Sequence, residues 1–117
     1  MSGISCHVLD TAQGHPARGV VVRLERRETT PTGAGDWQAI GQGVTNDDGR
    51  ATGLEGASEV VAGPHRLIFE TEAYLARAGL PVFYPEVRVT FVVASASERY
   101  HIPLLLSPFG YSTYRGS

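Results

Sequence analysis

Glu86-Val87-Arg88-Val89-Thr90-Phe91-Val92-Val93, followed after a short polar connection by Arg99-Tyr100-His101-Ile102-Pro103-Leu104-Leu105-Leu106, is the stretch that decides the fold. In the first run Val87, Val89, Phe91 and Val93 alternate with Glu86, Arg88 and Thr90. In the second, Tyr100, Ile102, Leu104 and Leu106 form the apolar set, with Arg99, His101 and Pro103 opposite. A period of two sends successive side chains to opposite faces of a strand, so each run reads as a strand with one buried face. Ser95-Ala96-Ser97-Glu98 between them reads as a short hairpin-type connection. Pro103 brings no N–H to a ladder, which predicts that its strand is not interior to a sheet.

Working outward, His65 to Thr71 alternates again, with Leu67 and Phe69 on one face. Thr71 is placed to cap a helix over 72–78, closed by Gly79 ahead of Pro81, and this is the only helix expected. Near the start, Ile4, Cys6 and Val8 share one face of a strand while Ser5, His7 and Leu9 share the other. Residues 10–18 read as a turn punctuated by Gly14 and Pro16, with His15 solvated. Val20, Val22 and Leu24 face inward in a strand over 20–28, with Arg23, Glu25 and Arg27 outward. Residues 29–36 read as a loop by composition, and 37–45 as a strand in which Gly41 and Gly43 suggest a bulge or a close backbone approach.

Asn46-Asp47-Asp48-Gly49 is a tight-turn signal that presents Arg50 at a strand end. A calcium loop fails here, because counting back from Gly49 puts Val44 at the first ligand position. Residues 51–54 read as a short edge strand before a Gly-rich loop to Pro64. About seven or eight short strands at roughly 8–12-residue spacing, with one helix, predict an all-β fold: an antiparallel β-sandwich of two sheets.

The 117 residues suit one domain, 1–117, able to bury a core without staples. With 42% hydrophobic and 19% charged residues the chain is globular rather than disordered. A formal charge of −2, with basic residues spread along the chain, leaves no basic stripe for nucleic acid. One cysteine, Cys6, excludes an internal disulfide and a Cys-rich zinc site, and suits a reducing compartment. The first residues run straight into strand-like sequence with no leader pattern, and the apolar runs are too short to span a bilayer. A cytoplasmic protein without a membrane partner is therefore expected.

His7 and His101 each sit on the less apolar face of an otherwise apolar strand. A lone strand histidine is more often structural, and a polar chain end more often a solubilising tail. Two such histidines, Arg50 at a turn and a closing Tyr114-Arg115-Gly116-Ser117 together suit chemistry. Imidazoles titrating near neutrality hold and pass protons. A planar guanidinium can stabilise an oxyanion or orient a carbonyl-rich substrate. A Ser117 hydroxyl can bind substrate, relay a proton or position water. There is no Gly-x-Ser-x-Gly elbow and no phosphate-binding Gly-rich loop ahead of a helix. His7, His101 and His65 could form a three-His zinc site, but their spacing does not demand one. No metal and no cofactor is expected.

His7-Val8-Leu9-Asp10 with Gly14-His15-Pro16-Ala17 resembles the opening motif of the 5-hydroxyisourate hydrolases, the transthyretin-related proteins of purine degradation. Thr45-Asn46-Asp47-Asp48-Gly49-Arg50 resembles their turn motif, and His101-Ile102-Pro103-Leu104-Leu105-Leu106-Ser107-Pro108 their penultimate strand. Tyr114-Arg115-Gly116-Ser117 matches their closing tetrapeptide. The resemblance covers essentially the whole chain, and only the 29–36 loop looks longer than expected. It implies a transthyretin-like sandwich of two four-stranded sheets and one short helix, assembled as a homotetramer with sites at the subunit interface. The implied activity is hydrolysis of the ring amide of 5-hydroxyisourate to 2-oxo-4-hydroxy-4-carboxy-5-ureidoimidazoline, in urate degradation. By that resemblance His7, Arg50, His101 and Ser117 are catalytic, and Tyr114, Arg115 and Gly116 bind substrate. Which histidine is the base, and whether Ser117 attacks or positions water, stays open.

The rival is a carrier: transthyretin shares the fold and holds thyroid hormone in the equivalent channel. Fold does not separate the two readings. Paired histidines, an arginine and the Tyr-Arg-Gly-Ser end do, because a carrier of an apolar ligand has no need of them.

Overall fold

The computed structural model describes residues 3–30, 33–52, 54 and 60–117. The chain runs through β1 (Gly3–Asp10), β2 (His15–Pro16), β3 (Val21–Thr30), β4 (Gly33–Thr45), β5 (Ala51–Thr52), β6 (Gly63–Glu70), α1 (Thr71–Arg77), β7 (Val87–Val93), β8 (Arg99–Ser107) and β9 (Gly110–Thr113). One sheet has the order β2-β1-β8-β9 and the other β5-β4-β3-β6-β7. Every neighbouring pair is antiparallel except β1 with β8, which run parallel.

The alternating apolar sets meet between the two sheets. Ile4, Cys6 and Val8 of β1 and Tyr100, Ile102, Leu104 and Leu106 of β8 are buried against Val22 and Leu24 of β3, Leu67 and Phe69 of β6, and Val87 and Val93 of β7. Burying a Val, Leu, Ile or Phe side chain stabilises by about 1.5–3 kcal/mol. This shared core therefore fixes which face of each strand is left for chemistry.

Several local expectations change. The 95–98 connection is no hairpin, because it carries the chain from β7 in one sheet to β8 in the other. The apolar faces of the two strands oppose each other across the core, and the Tyr100 hydroxyl clamps the crossing by accepting from the N–H of Ala94 (2.8 Å) and Ser95 (3.0 Å). Pro103 sits in a strand paired on both sides, contrary to the edge expected. His101 and Pro103 share the side of β8 that faces the end of the chain, where the carbonyl of His101 accepts from Gly116 and that of Pro103 from the Thr113 hydroxyl. The missing N–H thus points at residues 114–115, where the partner segment has left the ladder.

The 29–36 loop is mostly ladder: Thr29 pairs with Ala34 and Thr30 with Gly33, and residues 31–32 lie outside the described residues. Trp37 gains partners there, with the Arg66 guanidinium 4.3 Å and that of Arg27 5.8 Å from its ring. At Gly41 the close approach is real, since a Cβ would lie 3.3 Å from the Leu54 carbonyl oxygen. The strand expected over 51–54 shortens to β5, and most of the Gly-rich loop after it lies outside the described residues. Thr71 is not the helix cap: it lies inside α1, and its hydroxyl donates to the Tyr84 carbonyl at 2.6 Å. The other end closes as expected. Gly79 adopts φ +73°, and the N–H groups of Gly79 and Leu80 return to the carbonyls of Ala76 (3.1 Å) and Leu75 (2.9 Å).

Asp10 ties α1 to the end of β1. It is 2% exposed. Its carboxylate accepts from the Tyr74 hydroxyl (2.5 Å), the Gln13 side chain (2.8 Å) and the N–H groups of Ala12 (3.0 Å) and Gln13 (2.9 Å). Burial alone would raise its pKa, but these donors together outweigh burial and hold it below 3.8. A depressed carboxylate adds stability above its unfolded pKa and loses it as pH falls through the folded value, so this contribution is lost in strong acid. In urea unfolding, Asp10→Ala should cost about 2–3 kcal/mol by stranding the Tyr74 hydroxyl and the turn N–H groups. Tyr74→Phe, which leaves Asp10 three donors, should cost only about 1 kcal/mol from the hydrogen bond. Equal losses would refute this division.

Candidate active site

The parallel ladder places Ser5 opposite His101 and His7 opposite Pro103. Because Ile4, Cys6 and Val8 take the inner face of β1, Ser5 and His7 emerge on the outer face. His101 does the same from β8, between buried Tyr100 and Ile102. The rings of His7 and His101 lie 6.5 Å apart, tilted by 35°. Ser5 Oγ is 2.8 Å from His101 Nδ1.

Arg50 arrives from the other sheet. In the turn before it, Asn46 Oδ1 accepts from the N–H of Asp48 (2.9 Å) and of Arg50 (3.1 Å), and Gly49 adopts φ +77°. These side-chain acceptor bonds are those of an Asx turn, not of a calcium loop. Gly49 also presses on β1: its carbonyl accepts from the Val8 N–H at 2.7 Å, and a Cβ there would run into the Val8 carbonyl oxygen. That contact makes an antiparallel bridge between His7 and Arg50. No hydrogen bond or ion pair joins the Arg50 guanidinium to another described residue.

The chain end is held to β8. The Gly116 N–H donates to the His101 carbonyl at 2.8 Å. Arg115 reaches Glu98 (3.2 Å) and the Arg99 carbonyl (3.3 Å), with its guanidinium 4.6 Å from the Tyr100 ring. A Cβ on Gly116 would lie 2.5 Å from His101 Cδ2, so only glycine lets the backbone pass this close to the ring.

Ser5, Arg50, Arg99, His101, Gly116 and Ser117 line an open cleft of about 500 Å³. His7 flanks it through its contact with His101 and its bridge to Arg50. Four of the residues expected at the site therefore share one cleft and His7 adjoins it. Tyr114 and Arg115 do not join them within this chain. They line a separate groove of about 260 Å³ with Val89, Phe91, Tyr100 and Ile102. Ser5 and Arg99 are additions, and strand parity carried the signal for both: each lies two residues before a histidine already on the outer face.

Arg50 and Arg99 are the charged side chains lining the cleft, and no carboxylate side chain lines it among the described residues. Desolvation, then the charge of Arg50, then His7, lower the His101 pKa below 6.5. His101 is therefore neutral at neutral pH and has a lone pair to offer. His65 plays no part here. It is fully buried on the inner side of β6, with Nδ1 3.0 Å from the Gly63 carbonyl oxygen and its ring stacked on Phe91. Burial, more than the nearby Arg26, holds it neutral. The three histidines do not converge, and no group of three or more potential metal ligands occurs among the described residues.

Comparison with known proteins gives the same grouping. The HIUase/Transthyretin family matches residues 4–116. The 5-hydroxyisourate hydrolase of Mus musculus is 43% identical over 99% of this chain and 96% of its own. The structure of Klebsiella pneumoniae 5-hydroxyisourate hydrolase is 38% identical over the whole of both chains, with a TM-score of 0.81. Sea bream transthyretin in complex with thyroxine is 31% identical over 97% of this chain and 93% of its own, with a TM-score of 0.84. The structure of (S)-allantoin synthase is 38% identical with a TM-score of 0.82, and this chain spans 43% of its length. A match from β1 to Gly116, carried by relatives this similar over nearly their full length, means that the chain belongs to the HIUase/Transthyretin family.

Proposed function

We propose that this chain is a cyclic amide hydrolase that opens the ring of 5-hydroxyisourate, as the names of its hydrolase relatives indicate. The observation that carries the reading is the juxtaposition, in one cleft, of a neutral histidine, an arginine whose guanidinium has no hydrogen-bond or ion-pair partner among the described residues, and the Ser117 end, with a second imidazole beside it. His101 fits the base. Its Nε2 takes one proton from water as the water oxygen bonds to the ring carbonyl carbon. The Arg50 guanidinium meets the developing oxyanion, collapse breaks the C–N bond, and the proton passes to the leaving nitrogen. His7 and Ser117 position the water and the leaving group, and Gly116 gives the backbone its close approach to His101. No redox step and no cofactor is needed.

Tyr114 and Arg115 enter through assembly. β7 and β9 are free edges of their respective sheets, and the groove holding Tyr114 and Arg115 lies between residues of β7 and β8. Unpaired edges invite pairing with another copy. Exposed Phe83, Phe109, Tyr111 and Val92 supply apolar surface for the same purpose. We read the working form as a homotetramer whose sites are completed between subunits. No helix among the described residues is long and apolar enough to cross a membrane, and the lone Cys6 thiol suits the cytoplasm. The carrier reading fits less well, because transport of an apolar hormone makes no use of the cleft's imidazoles and arginine.

The test follows the ultraviolet decay of freshly generated 5-hydroxyisourate, with assembly checked by light scattering. His101→Asn should lower kcat roughly 10²–10⁴-fold, as loss of a general base does. Arg50→Ala should do so by a comparable factor and, by removing a positive neighbour, raise the His101 pKa in an NMR titration. kcat/KM should fall on the acid side with a midpoint below 6.5, where His101 takes up its proton. Decay no faster than in buffer, from a properly assembled wild type, would overturn the hydrolase reading. Light scattering should give the mass of four chains, and a monomer with full activity would remove the interface from the proposal.

A further inference from the structure

The His101 ring is held at two edges. Nδ1 lies 2.8 Å from Ser5 Oγ, and Cδ2 faces the Gly116 backbone, where even a Cβ would not fit. With Nδ1 taken by Ser5, Nε2 is the ring nitrogen left without a hydrogen-bond partner among the described residues, on a residue that lines the cleft. Ser5 owes its place to the β1–β8 register, being the residue directly across the ladder from His101. It is solvent-exposed, so its hydroxyl proton can be given to water while its oxygen accepts. Among the described residues, the charged and titratable side chains around the ring are Arg50 from the turn after β4, His7 on β1 and Arg99 on β8, and no carboxylate side chain lines the cleft. Ser5 is thus the hydrogen-bonding partner that the structure gives the His101 ring.

We propose that Ser5 is a positioning residue for the hydrolytic reaction: it accepts a hydrogen bond from Nδ1–H of His101 and thereby fixes the tautomer that leaves the Nε2 lone pair in the cleft. In many sites a carboxylate orients the histidine. A carboxylate beside His101 would also favour the imidazolium and draw Arg50 into an ion pair. A neutral hydroxyl orients the ring while favouring the imidazolium far less than a carboxylate would, and it forms no ion pair with Arg50, which stays available to substrate. When Nε2 takes the proton from water, Nδ1–H keeps the same acceptor, and the bond strengthens as the ring becomes charged. Nothing has to reorganise during the step.

The proposal rests on the hydrolase reading of this cleft, and two independent readouts separate their failures. In the wild-type protein, ¹⁵N NMR of His101 should show the proton on Nδ1. In Ser5→Ala the ring should move toward the Nε2–H form. Ser5→Ala should lower kcat roughly tenfold, the scale of one lost hydrogen bond, with KM within about twofold. It should also move the acid limb of kcat/KM to lower pH, because the charged ring loses an acceptor. Ser5→Thr keeps the hydroxyl and should restore rate and profile. A wild-type His101 protonated on Nε2, or a Ser5→Ala enzyme with unchanged kcat and pH profile, would overturn the role of Ser5. If His101→Asn keeps full activity, the hydrolase reading of His101 falls, and Ser5's role in catalysis falls with it.

Discussion

The parallel pairing of β1 with β8 is the constraint on which the rest of the structure depends. Eight successive partners, from Gly3 opposite Arg99 to Asp10 opposite Leu106, hold the two strands in one register. A slip of one residue would turn Ser5 and His7 into the core and Ile4, Cys6 and Val8 out to water. Each large aliphatic so exposed forfeits about 1.5–3 kcal/mol. Each hydroxyl or imidazole so buried without a partner costs about 1–3 kcal/mol more on mutational scales. Both terms oppose the slip, so the hydrophobic core sets the relative positions of Ser5, His7 and His101. The site needs no stabilising interaction of its own to be built accurately.

The other sheet contributes through backbone contacts rather than side-chain packing. Gly49 docks on Val8, and the Thr45 hydroxyl, itself buried, donates to the Ala17 carbonyl (2.7 Å) and accepts from the Val20 N–H (2.8 Å). These bonds join the end of β4 to the segment between β2 and β3 and so fix where Arg50 emerges. Asp10 and Tyr74 do the same for α1 at the far end of β1. Among the described residues the Arg50 guanidinium itself has no hydrogen-bond or ion-pair partner, so it stays free to meet a ligand in the cleft.

Much of the site could be read from residue order. Parity along β1 and β8 already separates the core set from Ser5, His7, Arg99 and His101, and the Asn46–Gly49 turn already marks Arg50 as presented. What parity lacks is any measure of which strands adjoin. The connection over 95–98 looks local, yet Val93 and Arg99 belong to opposite sheets. Pro103 looks like an edge residue until the geometry shows its missing N–H directed at the gap between Thr113 and Gly116. The closing tetrapeptide reads as a single unit, but it splits: Gly116 and Ser117 join the cleft, while Arg115 turns back to Glu98 and Tyr100.

By itself the amino-acid order determined the all-β class, the inner and outer face of each strand, the turn before Arg50 and the close of α1, since all of these follow from neighbours within a few residues. It also carried, through its motifs, the family to which the chain belongs. The tertiary structure alone decided that β1 lies beside β8 in parallel, that His101 therefore meets Ser5, that His65 is a core residue remote from the other histidines, and that the chain end divides between two grooves. Those outcomes depend on which apolar faces pair across the core, a property of the whole chain that no local spacing records.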